Sequence, residues 1–272
     1  MIANRGWKCF TIAVLAAFTH APLLAQNDSD DWQWRAAIYA WLPDLEAKTV
    51  FPSGEGGPTL NVDASTLVDN LDFTFQAQLQ ARKGAWGAFT DVIYMDEGAT
   101  RSGVRDITLG PAALPSDLSY DLGYDMKSWV WSLAGTYSLA SSETNTADVL
   151  LGARLLDIEQ TLVWTAQGNV GSIEPPARNG RREVSLTNWD AIVGIRGQLR
   201  LGAERRWVMP WYLDIGTGDS DITVQALAGI GYAFGWGEVM AAWRYLDYEL
   251  PGDSPVSDLN FNGPLVGASF AW

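Results

Sequence analysis

Cysteine and histidine occur once each in the 272 residues, as Cys9 and His20. Both lie in the opening stretch MIANRGWKCFTIAVLAAFTHAPLLAQ, which has a basic start (Arg5, Lys8), a largely apolar run from Phe10 to Phe18 and small residues at Ala21 and Ala25. That pattern is a secretory signal, too short to serve as a membrane-spanning helix. Cys9 follows Trp7 and Lys8, not a short apolar and small-residue motif, so a lipid anchor is not expected. Removing residues 1–25 leaves one domain, 26–272, with no thiol and no imidazole. A disulfide framework, a thiolate nucleophile, a histidine metal site and a serine–histidine pair are then all excluded.

Enzymes of the outer membrane that use histidine beside serine or a carboxylate are excluded on the same ground. The adjacent Asp96 and Glu97 face opposite sides of a strand and make a poor acid–base pair. GIGYAFGWG, though rich in glycine, reads as strand and turn and not as a phosphate loop. The expectation is a non-enzyme with no catalytic residue, no metal and no cofactor.

Positive charge is also scarce. Eighteen Lys and Arg stand against 32 Asp and Glu, a net charge of −14 that becomes −16 once Arg5 and Lys8 leave. Nucleic acid is an unsuitable partner for such a chain. After the signal there is no apolar run of about 18 residues, so no helical membrane span is expected, and no Pro/Ser-rich linker divides the chain. What is abundant is tryptophan (14) and glycine (27).

Strict alternation is the dominant pattern. In LDFTFQAQLQAR, Leu71, Phe73, Phe75, Ala77, Leu79 and Ala81 make one face and Asp72, Thr74, Gln76, Gln78, Gln80 and Arg82 the other. Such a segment is a strand with one oily and one polar side. The same reading gives about ten strands, near 32–42, 71–83, 86–96, 122–139, 147–165, 184–200, 206–216, 221–235, 237–249 and 259–272. Connections after the even-numbered strands are short (KGAW, SSETNT, GAERR, GWG), and most of the others are longer. An even number of strands, short turns at one end and longer loops at the other is the layout of an antiparallel up-and-down transmembrane β-barrel of the outer membrane. The odd strands end in related segments (WLPDLE, YMDEG, LLDIE, YLDIG, YLDYE), and RLLDIE from Arg154 and RYLDYE from Arg244 are longer matches.

Aromatic residues stand at the ends of the oily stripes: Trp32, Trp34, Trp129, Trp131, Trp207, Trp211, Phe270 and Trp272. Amphipathic rings favour membrane interfaces, so these form an expected girdle with the oily faces toward lipid. The opposite faces then line the lumen with Gln76, Gln78, Gln80, Asp91, Arg154, Asp190, Arg196, Gln225 and Arg244, because a charge at mid-bilayer would cost about 2–4 kcal/mol. These residues either fill a closed lumen as an ion-pair network or line a narrow pore. The repeated acids mark the upper limit of the hydrocarbon or form a cation-binding rim. Asp63 caps an expected short helix from Ala64 to Asn70 in the long first connection, 43–70, and the connections at 100–120 and 168–182 are polar loops.

LVDNLDFTFQAQLQARKGAWGAFTDVIYMDEG, PWYLDIGTGDSDITVQALAGIGYAFGWGEVMAAWRYLDYEL and the aromatic ending PLVGASFAW resemble a group of uncharacterised proteobacterial outer-membrane β-barrel proteins. The resemblance implies the barrel and the outer-membrane address and brings no ligand or activity. The functional expectation is a narrow channel for small solutes or cations, or a structural membrane protein. Its partners would be outer-membrane lipid and, through the C-terminal strand, the barrel assembly machinery. A surface adhesin using acidic extracellular loops and a soluble periplasmic ligand-binding β-barrel are the alternatives.

Overall fold

The computed structural model describes residues 31–49, 59–62, 71–102, 118–168, 178–252, 254 and 256–272. Among them every regular element is a strand: β1 (Gln33–Trp41), β2 (Asp44–Thr49), β3 (Thr59–Val62), β4 (Leu71–Lys83), β5 (Trp86–Ser102), β6 (Leu118–Ser141), β7 (Asn145–Gly168), β8 (Arg178–Leu201), β9 (Trp207–Gly218), β10 (Ile222–Ala233), β11 (Glu238–Glu249) and β12 (Val256–Ala271). Ten of these, β1 and β4 to β12, pair antiparallel in chain order, and β1 pairs β12 to close the barrel. The signal segment and the helix expected over 64–70 lie outside the described residues.

The barrel is strongly sheared. From Arg35, cross-strand partners run through Gln80, Phe89, Ala134, Gly152, Ile192, Gly216, Thr223, Tyr248 and Leu259 and return to the first strand at Ala47, twelve residues from the start. Stagger of this kind tilts strands by about 35–45°.

The first connection differs from the expected loop. Opposite β12, Trp41 faces Leu265 and Asp44 faces Asn262, so the register runs straight across Leu42 and Pro43. β2 is therefore the continuation of β1, interrupted where Pro43 lacks an N–H to donate, and β3 returns along it as a hairpin. The strands bordering the other long connections also run further than alternation suggested: β5 extends to Ser102, β6 starts at Leu118, β7 reaches Gly168 and β8 starts at Arg178.

The oily face looks outward. Ile38, Phe75, Leu79, Trp86, Leu133, Leu151, Val193, Leu213, Ile230, Trp243 and Val266 are all exposed on the barrel exterior, one or more per strand. A water-soluble barrel would reverse this arrangement, so the soluble periplasmic alternative is set aside. Two aromatic levels bound the oily band. At the short-turn end Trp32 lies 6.0 Å from Trp34, Trp86 meets Tyr137 at 4.9 Å, and a chain runs Trp207–Tyr232–Phe234–Trp236–Phe270 with centroids 5.0–5.8 Å apart. Higher up, Tyr94 meets Trp129 at 4.5 Å and Trp131 meets Trp189 at 6.1 Å. Tyr137 and Trp129 are eight residues apart on β6, about 20 Å of height at ~3.3 Å rise and ~40° tilt, close to the ~25 Å apolar band of such barrels. Trp272 and Trp34 exchange both backbone hydrogen bonds (2.9 and 3.0 Å), so the chain's last indole is anchored at the seam.

The interior changes character along the axis. In the half farther from the short turns, Trp41, Ile93, Met95, Met126, Val130, Leu156, Leu246, Tyr248, Leu259 and Phe261 pack against one another as an apolar core inside the barrel. Toward the short turns Gln, Arg, Ser and Asp share the inward positions with a smaller apolar cluster of Phe89, Ala134, Leu150 and Ile192.

Candidate functional site: an ionic layer above a chamber

Below the apolar core lies a layer of two Arg–Asp–Tyr clusters built to a common plan. In one, Arg244 on β11 reaches across the lumen to Asp91 on β5 at 2.8 Å and to Gln225 at 2.9 Å. The Tyr39 hydroxyl from β1 donates to the other oxygen of Asp91 at 2.5 Å and accepts from Arg244 at 3.1 Å. In the other, Arg154 on β7 pairs with Asp214 on β9, donates to Ser132 Oγ at 3.2 Å and points Nη1 at Thr223 Oγ1 at 3.5 Å, while the Tyr212 hydroxyl donates to Asp214. Both side chains of the Arg154–Asp214 pair are 0% exposed. A buried ion pair holds only when its remaining polar atoms are also bonded, which the phenols, hydroxyls and Gln225 provide for much of each cluster.

The residue identities follow from strand parity. Arg154 and Arg244 occupy matching places in RLLDIE and RYLDYE, each on a strand whose next two inward positions above it are apolar or aromatic (Leu156 and Ile158; Leu246 and Tyr248). Arg244 also lies over the Trp41 ring at 4.8 Å, a favourable cation–π contact. On the opposite wall Asp190 accepts from the Ser220 N–H and hydroxyl, both at 2.9 Å, and Asn188 donates to Ser220. Gln76 bridges a gap in the wall: β1 and β4 pair only as far as Ile38 and Ala77, and beyond that point the Gln76 amide accepts from Trp41 N–H (2.7 Å) and donates to Trp41 C=O (3.1 Å). The side chain replaces the missing strand partner.

Beneath this layer is a cavity of about 450 Å³, bounded above by Asp91, Gln225 and Arg244 and reaching Gly84, Ser138, Ser141 and Ala271 at the short-turn end. Gln78, Gln80 and Arg196 line its walls, together with Arg35, Arg82, Asp148 and Glu238. Arg35 pairs with Glu238 at 2.6 Å, Arg200 binds the other oxygen of Glu238, and Arg82 pairs with Asp148. Arg196 donates to Gln80 at 3.1 Å and rests over the Phe89 ring at 4.7 Å.

Every lumen residue named from the sequence points inward, but the pairing differs from a single network of Asp91, Asp190, Arg154, Arg196 and Arg244. Only Arg244 and Asp91 join; Arg154 is held by Asp214, Asp190 by Ser220, and Arg196 by no carboxylate among the described residues. Tyr39, Tyr212, Arg35, Asp148 and Glu238 join the lumen without having been expected there; Arg82, on the polar face of β4, and Asp214, inward by its own strand, gain the partners that the sequence did not assign. Parity on their own strands carries the missing signal, since each is an even number of residues from an inward neighbour. Of the girdle set, Trp32, Trp34, Trp129, Trp207, Phe270 and Trp272 are exposed on the exterior, and Trp131 is half-buried with its indole N–H on Thr90 (2.8 Å). Trp211 folds over Gly197 of β8, where a Cβ would meet its ring at 2.6 Å. The repeated acids are spent on neighbours: Asp157 accepts from Thr187 (2.6 Å), Asp247 from Asn260 (2.8 Å), and Asp96 from Tyr94 (3.1 Å) with Lys127 at 3.6 Å. Among the described residues no three acids converge on a common point.

Solved structures that align with this chain include outer-membrane proteins. The outer membrane protease OmpT from Escherichia coli aligns over 90% of this chain and 98% of its own, with 8% identity and a TM-score of 0.50. Ail, the attachment invasion locus protein of Yersinia pestis, aligns over 89% of this chain and 98% of its own at 11% identity and a TM-score of 0.35. The P. putida toluene transporter TodX aligns over 89% of this chain and 90% of its own at 8% identity and a TM-score of 0.33. This protein is an outer-membrane β-barrel. No family model matches the chain, and no curated protein matches it. At these identities the likeness extends to the fold alone, so function has to be argued from the lumen.

Proposed function

We propose that this outer-membrane barrel is a sealed, non-catalytic membrane protein that offers a binding chamber to the periplasm, which favours the filled lumen over the narrow pore, the two readings its sequence left open. One observation carries the reading. The interior of the outer half is packed with apolar side chains, Trp41, Ile93, Leu156, Leu246 and Phe261 among them, each no more than 2% exposed, and the chamber stops at the ionic layer beneath them. Ion passage would require unmaking both a packed apolar cluster and two buried ion pairs.

Barrels of this class place their short turns in the periplasm, and the chamber reaches the short-turn end, which supports access from that side. Its volume falls in the ~300–1,000 Å³ range of small-molecule pockets. The non-catalytic part rests on residues 26–272 having neither histidine nor cysteine. Planar-bilayer recording tests the seal: purified, folded protein inserted at high concentration is expected to give no conductance steps up to the voltage at which the bilayer breaks. Reproducible ohmic steps from wild-type protein would overturn it.

A further inference from the structure

The chamber carries a charge imbalance opposite to that of the whole chain. Residues 26–272 are strongly acidic, yet the charges around this space favour arginine. Arg244 is matched by Asp91 and Arg82 by Asp148, whereas a single acid, Glu238, serves both Arg35 and Arg200. Arg196 has no carboxylate within 4.0 Å among the described residues: Asp148, directly across from it on β7, turns its carboxylate to Arg82. Four arginines line the chamber, Arg35, Arg82, Arg196 and Arg244, against three acids, Asp91, Asp148 and Glu238, and Glu238 is shared with Arg200 from outside the lining.

Arg196 is also short of acceptors. One N–H goes to Gln80 Oε1 at 3.1 Å, its plane covers Phe89, and Nη1 is buried with no partner. A guanidinium cannot shed its proton, and a buried cation without a counter-charge is costly. Gln80, the acceptor it does have, stands opposite Arg35 on β1 and two residues from Arg82 on the same inward face. The three guanidinium groups therefore surround one part of the wall.

We propose that the chamber binds a small oxyanion, of carboxylate or phosphate type, at Arg196 with Arg35 and Arg82 beside it. The inference rests on the chamber being open to the periplasm, and it supplies the class of ligand. Two oxygens on one centre match the forked donors of arginine. A free carboxylate solute and inorganic phosphate share this chemistry.

A cysteine introduced at Gln78, on the chamber wall, tests it, because the signal-free chain has no other thiol. In micelles, Gln78→Cys would be modified with the negatively charged sulfonatoethyl and the positively charged trimethylammonioethyl methanethiosulfonates, each rate divided by that of a free thiol. The anionic reagent is expected to react faster by about tenfold or more, a preference of the size that focused charge produces. Phosphate or succinate at low chloride should slow the reaction, and whichever slows it more identifies the type of anion. Arg196→Gln should abolish the preference, and Arg196→Lys should retain part of it. Equal rates, a faster cation, or no slowing by either anion would overturn the oxyanion site while leaving the chamber intact. If neither reagent reaches the folded protein while both label it after denaturation, the chamber reading itself fails. The rate ratio and the protection in the Gln78→Cys background decide the matter even if Arg196→Gln does not fold.

Discussion

Asp214→Leu should destabilise the barrel more than Arg154→Met, although the two changes cut the same ion pair. Both partners are fully buried. Removing Asp214 strands Arg154 with only Ser132 Oγ at 3.2 Å and Thr223 Oγ1 at 3.5 Å, neutral acceptors at or near the limit of a hydrogen bond. Guanidinium cannot become neutral, so the cost should approach the ~3–5 kcal/mol of an uncompensated buried charge. Removing Arg154 leaves Asp214 with the Tyr212 hydroxyl as donor, and a carboxyl can take up a proton to escape its charge, so about 2–3 kcal/mol is expected. The double variant should recover most of the loss, because replacing a whole buried pair with apolar groups is often near neutral. Urea titration of protein folded into lipid vesicles, followed by tryptophan emission and by the heat-modifiable gel band, measures all three. An Asp214→Leu cost under about 1 kcal/mol, or a larger cost for Arg154→Met, would refute the reasoning.

Three further substitutions probe other parts of the structure. Leu151→Arg puts a charge on the exterior of β7, beside Gly135 and between the levels of Tyr137 and Trp131 on the adjoining strand; it should cost about 2–4 kcal/mol in vesicles, while Trp86→Arg at the short-turn girdle should cost about 0–1 kcal/mol. Gln76→Leu removes both hydrogen bonds to the Trp41 backbone and should lower stability by about 1–3 kcal/mol while speeding hydrogen exchange at the Trp41 amide, read by mass spectrometry. Gly194→Ala places a Cβ at 2.7 Å from that of Asp214; β8 and β9 must part locally, and the same urea titration should show a loss of about 1–3 kcal/mol.

Strand number, faces and turns were legible because a period-2 pattern is a local property, and in β4 it runs through twelve residues from Leu71 to Arg82. Two features were not. The β2–β3 hairpin hid behind Pro43 and the PSGEGGP stretch, which together resemble the exit from a strand, whereas the register against β12 passes through the proline unchanged. The pairing of lumen charges depends on which side chains meet across the barrel, and that is set by a stagger no single strand encodes. Arg154 bypasses its cross-strand neighbour Asp190 and takes Asp214 from two strands away. Arg244 on β11 meets Asp91 on β5, over a separation of 153 residues.

The same inward parity reads differently at the two ends of one strand, and that change decides how the barrel behaves. On β5 the inward series is Phe89, Asp91, Ile93, Met95; on β11 it is Glu238, Met240, Ala242, Arg244, Leu246, Tyr248. In each series the central charge, Asp91 or Arg244, stands directly beneath residues of the apolar core, and stagger brings those two charges to one height. An ion pair at such a boundary is shielded from water on one side, which strengthens its attraction, while the chamber on its other side lets polar neighbours complete its bonds. A continuous polar parity would have left a wet lumen, and a continuous apolar one would have left no chamber. The charges set part-way along the strands divide the barrel interior into a half packed with apolar side chains and a half that holds the chamber.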